Sequence, residues 1–186
     1  FHCSVLEEDV IAAPNVESIY EVPVNFENDN ISGSILKKLG LKPKRKDLLE
    51  WRSLVSRIKN SKKPVRIGIV GKYFGTGSYV LADSYVSVIE AIKHAAFHEK
   101  RKPIIDWIDA EDFDPVNPPV GGAKAKANLL KLKKYDGIVV PGGFGARGVE
   151  GIINAISYVR KNKIPYLGLC YGMQLAVVEY ARNVLN

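Results

Sequence analysis

The residues best suited to chemistry lie in Tyr166-Leu167-Gly168-Leu169-Cys170-Tyr171-Gly172-Met173-Gln174-Leu175-Ala176. An apolar run, a cysteine between two nearby glycines, then a helix-forming run describe a strand-to-helix turn that presents a nucleophile. The spacing is that of the Gly-x-Ser-x-Gly elbow, with sulfur in place of oxygen. A thiol attacks as its thiolate, and the N–H groups at a helix N-terminus favour that anion. Gly168 and Gly172 leave room for a sharp turn and a close substrate approach. A small buried cysteine at a strand end is the competing reading. A second cluster, Pro141-Gly142-Gly143-Phe144-Gly145, follows another apolar run. A tetrahedral oxyanion needs preorganised donors, often backbone N–H groups. A glycine pair ending the adjacent strand can turn such groups toward the sulfur, with the Tyr171 N–H as a second donor. A plain turn after a strand would also explain the pair. No histidine base is visible beside either motif.

Other candidates carry less. Gly71-Lys72-Tyr73-Phe74-Gly75-Thr76-Gly77 invites a phosphate-loop reading, but Arg66 and Tyr73 stand where that loop needs glycine and Ser or Thr. The dinucleotide fingerprint fails as well, because Val80 follows Gly75-x-Gly77. His94 and His98 share one expected helix face without an evident third ligand, so a zinc site is not expected. They sit toward the far end of a helix that follows the first strand, pointing away from the active edge. Cys3 and Cys170 suggest no disulfide framework, and a reduced cytosolic setting fits them better.

The elements that must position these residues are legible from residue 65 onward. Apolar runs predict strands at 65–70, 103–108, 137–140 and 165–169. Helical periodicity covers 83–97, 124–132, 149–160 and 173–184. Short apolar strands separated by helices argue an α/β fold, a parallel sheet covered on both faces. In such folds chemistry lies at the carboxyl ends of the strands, where Gly71-Lys72, Gly142-Gly143 and Cys170 all fall. Before residue 65 the chain reads differently. Residues 25–30 are polar and turn-like, a short helix spans about 32–39, and Gly40 closes it. Leu48, Leu49, Trp51, Leu54, Val55 and Ile58 form a helical stripe behind Asp47 as N-cap, and Pro64 ends the segment. Lys42 to Lys63 holds nine basic and two acidic residues, equal to the whole net charge of +7. Without aromatic residues interleaved for base stacking, it reads as a solvated connector and not a nucleic-acid patch. No apolar stretch approaches the roughly 20 residues of a membrane span. The chain opens at Phe1 in what reads as a strand and stops at Asn186 in a helix, so it is expected to be an excerpt of a longer polypeptide.

Several strings resemble the CTP synthase family, whose glutamine-using half is a class I (triad) amidotransferase. They include Val16-Glu17-Ser18-Ile19-Tyr20, Ile69-Val70-Gly71-Lys72-Tyr73, Asp83 through Ala91, Val140 through Gly151, and Pro165 through Val184. The string Pro141-Gly142-Gly143-Phe144-Gly145-x-Arg147-Gly148-Val149-Glu150-Gly151 is the most specific. The resemblance implies a flavodoxin-like amidotransferase domain from residue 65 to 186, incomplete, a basic linker over 42–64, and the C-terminal tail of a P-loop-type synthetase domain over 1–41. It implies that Cys170 attacks the glutamine carboxamide and that Gly142 serves the oxyanion hole. Gly143, Tyr171, Gly172, Met173 and Gln174 would bind glutamine, and Asn15 and Val16 would line the ATP adenine. Released ammonia would aminate UTP activated by ATP and Mg2+, with GTP as activator and CTP as inhibitor. No metal ligand is expected in this segment. A cytoplasmic homodimer or homotetramer, without nucleic-acid or membrane partners, follows by the same likeness. The family places the triad His and Glu beyond residue 186, so these residues alone are expected to be inactive. Tyr171 replaces a usual leucine and is expected to contribute mainly its backbone, and the 74–82 loop diverges. Two other readings remain at this point: a silent amidotransferase-like domain for assembly or regulation, and a different flavodoxin-like thiol hydrolase.

Overall fold

The computed structural model describes residues 5–44, 47–72, 75–76, 79–80, 85–116 and 120–185. Cys3, the start of the expected helix at Asp83 and much of the 74–82 loop lie outside them. The chain divides into two compact units, Phe1–Ser61 and Lys62–Asn186.

The first unit is helical. A 3-10 turn, Ile19–Glu21, runs directly into α1 (Val22–Asn28), with Pro23 in its first turn. The expectation of a polar turn over 25–30 is therefore corrected, since Asn25 to Asn28 are helical. Proline's fixed φ suits a first turn, where its missing N–H costs nothing, and this starts a helix that the polar composition hides. The reversal is confined to Asp29 and Asn30, the latter left-handed at φ 57°. Then α2 (Ile31–Lys38) ends ahead of Gly40 at φ 66°. In α3 (Leu49–Asn60) the apolar stripe buries Val55, and the Trp51 indole donates to the Tyr20 carbonyl at 2.6 Å. Asp47 accepts from the Leu49 N–H at 2.9 Å, capping from one residue outside the N-cap position.

The second unit holds β1 (Lys63–Gly71), a two-residue hairpin of β2 (Gly75–Thr76) and β3 (Tyr79–Val80), then α4 (Val86–His98). It continues with β4 (Arg101–Asp109), α5 (Gly121–Leu130), β5 (Gly137–Val140), α6 (Val149–Lys161), β6 (Tyr166–Gly168) and α7 (Tyr171–Tyr180). The main sheet is parallel throughout, in the order β4-β1-β5-β6. Consecutive residues Ile69 and Val70 of β1 are both fully buried, as are Ile138 and Val140 of β5 with Val139 nearly so. Neighbours along a strand face opposite ways, so these central strands are covered on both faces. Pro64, expected to end the connector, is instead the second residue of β1. There the strand has β4 alone as a neighbour, because pairing with β5 begins at Ile67. A residue without an N–H is tolerated in such a place.

Register brings the reactive segments together. Ile69 lies opposite Val139, and Val140 opposite Gly168. The carboxyl ends of β1, β5 and β6 are thus level, and the segments leaving them emerge side by side. Behind this edge, α6 buries Ile152, Ile153, Ala155, Ile156 and Val159 at helical spacing. The matching stripe of α7 is Gly172, Leu175 and Glu179. Glu179 is fully buried and accepts two bonds from Arg160 of α6, each 2.8 Å, and one from Asn183 at 3.1 Å.

That pair makes a pH prediction. The Arg160 hydrogen bonds, more than offsetting burial, hold the Glu179 carboxyl below its ordinary 4.5. A depressed carboxylate contributes stability that is present above 4.5 and lost as pH falls through the folded value. In Arg160→Met only burial and weaker partners remain, and burial raises a carboxyl. The melting temperature of the variant is expected to be lower at neutral pH and to recover toward pH 4.5, whereas that of the parent declines on further acidification. Thermal melts across this range check it; parallel curves would contradict it.

Candidate active site

Cys170 lies between β6 and α7 with φ 50° and ψ −104°. A non-glycine residue held there is strained, and such strain is typical of a nucleophile on a tight strand-to-helix turn. The thiol is exposed. The glycines on either side are required by contact. A Cβ on Gly168 would stand 2.6 Å from backbone atoms of Gly172 and Met173, and one on Gly172 would stand 2.2 Å from the Val140 carbonyl oxygen. The turn is also tied to the strand ends. Leu169 N–H donates to the Val140 carbonyl at 2.9 Å, Gly172 N–H to Leu169 at 3.0 Å, and the Tyr166 hydroxyl to the Gly172 carbonyl at 2.7 Å. Burial pushes the Tyr166 phenol upward, which keeps it a neutral donor.

The glycine loop faces this elbow. A Cβ on Gly142 would lie 3.8 Å from the Cys170 Cβ, and one on Gly143 would lie 3.6 Å from the Tyr171 ring. Tyr171 opens α7, where an N–H has no intrahelical acceptor. The sulfur, the glycine backbone and the first amide of α7 therefore share one edge, as the formation of an oxyanion at a carbonyl attacked by Cys170 requires. Of the residues named from sequence, Cys170, Gly142, Gly143, Tyr171, Gly172, Met173 and Gln174 gather here. Met173 and Gln174 are exposed, while Gly172 is buried as the contact surface with β5. Asn15 and Val16 belong to the first unit, in an irregular segment, Asn15 exposed and Val16 partly so.

Three side chains hold the glycine loop; the sequence does not single out Tyr85, and it places Lys72 and Tyr171 at this edge without this role. The Tyr85 hydroxyl donates to the Gly142 carbonyl at 3.0 Å. Lys72 donates to the Gly145 carbonyl at 2.7 Å and to that of Phe144 at 3.3 Å. Tyr171, expected to matter mainly through its backbone, also donates its hydroxyl to Gly145 at 3.1 Å, and its ring lies 4.7 Å from the Lys72 ammonium. Lys72 is buried, and desolvation pulls its pKa below the usual lysine value. The local signals for Lys72 are its place at the carboxyl end of the first strand and a Gly-Lys pair that fails the phosphate-loop pattern.

His94 and His98 do not reach the site. Tyr85 touches Gly142 just before α4, and at 1.5 Å per residue the two histidines lie about 14 and about 20 Å further along the helix. Among the described residues no group of three His, Cys, Asp or Glu could hold a metal ion, and no helix is long and apolar enough to cross a membrane.

The glutamine amidotransferase class-I family matches residues 80–186, which include the glycine loop and the elbow. The chain belongs to the class I glutamine amidotransferases. Across both units the amidotransferase is also similar to CTP synthases. It is 46% identical to that of Sulfolobus acidocaldarius over 183 residues, covering 98% of this chain and 32% of that protein. Identity is 48% with that of Methanococcoides burtonii over 184 residues (99% and 32%) and 42% with that of Listeria innocua over 185 residues (99% and 32%). The chain thus spans about a third of the length of these relatives. Among solved structures it resembles the glutaminase domain of Trypanosoma brucei CTPS with bound acivicin. That match has a TM-score of 0.55 and 38% identity, and it covers 66% of this chain and 42% of the other.

Proposed function

We propose that this amidotransferase supplies ammonia for CTP synthesis, with Cys170 as the nucleophile that opens glutamine. The observation that carries the reading is the junction of two glycine-bearing strand ends at Cys170, in a chain 42–48% identical to CTP synthases over nearly its whole length. The Cys170 thiolate adds to the glutamine carboxamide carbon, and the carbonyl π electrons move onto oxygen. The resulting oxyanion is held by N–H groups of the Gly142-Gly143 loop and of Tyr171. Collapse expels ammonia, which takes a proton as it leaves, and a thioester remains. Water then cleaves the thioester to glutamate and frees the thiol. Gly143, Tyr171, Met173 and Gln174 line the entrance that receives glutamine, with Gly172 behind them against β5. The acivicin held by the trypanosomal glutaminase domain, a glutamine analogue, supports this choice of substrate.

In this reading the ammonia aminates UTP at C4 after ATP with Mg2+ has activated O4. GTP would stimulate the cycle, CTP would restrain it, and the polypeptide would assemble as a cytoplasmic dimer or tetramer. Asn15 and Val16 would line the ATP adenine. The test gives the full polypeptide carrying these residues UTP, Mg-ATP and glutamine labelled at its amide nitrogen. Labelled CTP and stoichiometric glutamate are expected. Failure to make CTP from either glutamine or ammonia would overturn the reading.

A further inference from the structure

We propose that Tyr171 and Lys72 form a latch on the glycine loop, which makes Tyr171 a positioning residue for the chemistry of Cys170. The inference rests on the glutaminase reading above and concerns how its oxyanion donors are aimed. The Gly145 carbonyl accepts from two side chains at once, Lys72 at 2.7 Å and the Tyr171 hydroxyl at 3.1 Å. Lys72 also holds the Phe144 carbonyl at 3.3 Å, and Tyr85 holds that of Gly142 at 3.0 Å. A peptide plane whose carbonyl is fixed has its N–H fixed in the opposite direction. Anchoring the carbonyls of Gly142, Phe144 and Gly145 therefore fixes the amides of Gly143, Gly145 and Ala146: Tyr85 aims the Gly143 donor directly, and Lys72 with Tyr171 fixes the two amides that follow it in the loop.

Tyr171 matters more than an ordinary loop contact because it adjoins the nucleophile. It follows Cys170 directly, and its side chain reaches back across Gly143 to Gly145. One residue thereby joins the sulfur-bearing turn to the loop that faces it. The ring also serves the second anchor. A cation 4.7 Å from an aromatic centroid is attracted to its face, and burial strengthens that attraction. Lys72 is only 5% exposed, so the two carbonyls and the ring stand in for the water it has lost.

The test uses Tyr171→Phe, which removes the hydroxyl and keeps the ring, and Tyr171→Leu, which removes both, in the full polypeptide. Tyr171→Phe is expected to lower kcat for glutamine hydrolysis about tenfold, leave KM within about twofold, and weaken binding of an aldehyde analogue of glutamine about as much as kcat. The aldehyde forms a tetrahedral adduct with the thiol and reads oxyanion stabilisation, which a merely structural role would not move. Tyr171→Leu is expected also to speed amide exchange across 142–145. Unchanged kcat, aldehyde affinity and exchange in both variants would overturn the latch, as would a change in KM alone. A parent protein that makes no glutamate from glutamine would instead overturn the glutaminase reading, and the exchange result would still report on the latch.

Discussion

Replacing Cys170 with alanine is expected to abolish glutamine-supported CTP formation in the full polypeptide while ammonia-supported formation persists. The loss should be on the order of 10⁴-fold or more, since removing a covalent nucleophile removes the route and not merely an increment of rate. The asymmetry follows from where Cys170 sits. Its thiol is exposed at the carboxyl edge of the sheet, and its carbonyl accepts from the Gln174 N–H at 3.1 Å, a bond that alanine keeps. Alanine keeps the β-carbon that faces Gly142, so the elbow should survive and added ammonia should bypass the missing step. Steady-state rates with each nitrogen source check this. Equal loss with both sources would mean that the substitution damaged the fold, and retention with glutamine would remove Cys170 from the mechanism.

The second large effect is structural. Gly172→Ala would place a methyl group 2.2 Å from the Val140 carbonyl oxygen and 2.8 Å from its Cβ. That oxygen already accepts from the Leu169 N–H, the bond that draws the elbow to the end of β5. Neither the strand nor the first turn of α7 can yield cheaply, because Gly172 O is held by Tyr166 and the helix is pinned at Glu179. Overpacking of this kind costs about 3 kcal/mol or more. A lower melting temperature and a misplaced Cys170 are expected together. Gly122→Ala, whose new carbon would find nothing closer than Pro115 at 3.9 Å, is the control and should be close to neutral. Equal melting temperatures for the two variants would show that the elbow tolerates what this packing forbids.

What the sequence disclosed and what it hid divide along the range of the interactions. The strand of residues 137–140, the start of α6 at Val149 and the elbow around Cys170 are written in local patterns of apolar runs and glycines, and each stands where those patterns place it. The helix over 22–28 was hidden because its asparagines look like turn residues, and Pro23 outweighs them only by starting the first turn. The anchors of the glycine loop were hidden for a different reason. Lys72 and Gly145 are 73 positions apart, and Tyr85 and Gly142 are 57 apart. No window of sequence contains both members of such a pair. Glu179 is the clearest case of override. A carboxylate on an α7 stripe reads as solvent-facing, yet it is fully buried because Arg160 reaches it from α6.

The central claim is that Cys170 is a glutamine-reactive thiol. Intact-mass analysis of the full polypeptide after exposure to a glutamine-mimicking electrophile, with and without excess glutamine, tests it most directly. One adduct per chain, mapped to Cys170, sparing Cys3 and suppressed by glutamine, is the predicted result. No adduct at Cys170, in protein whose thiols still react with a small general alkylating agent, would contradict the account and leave the elbow a structural turn.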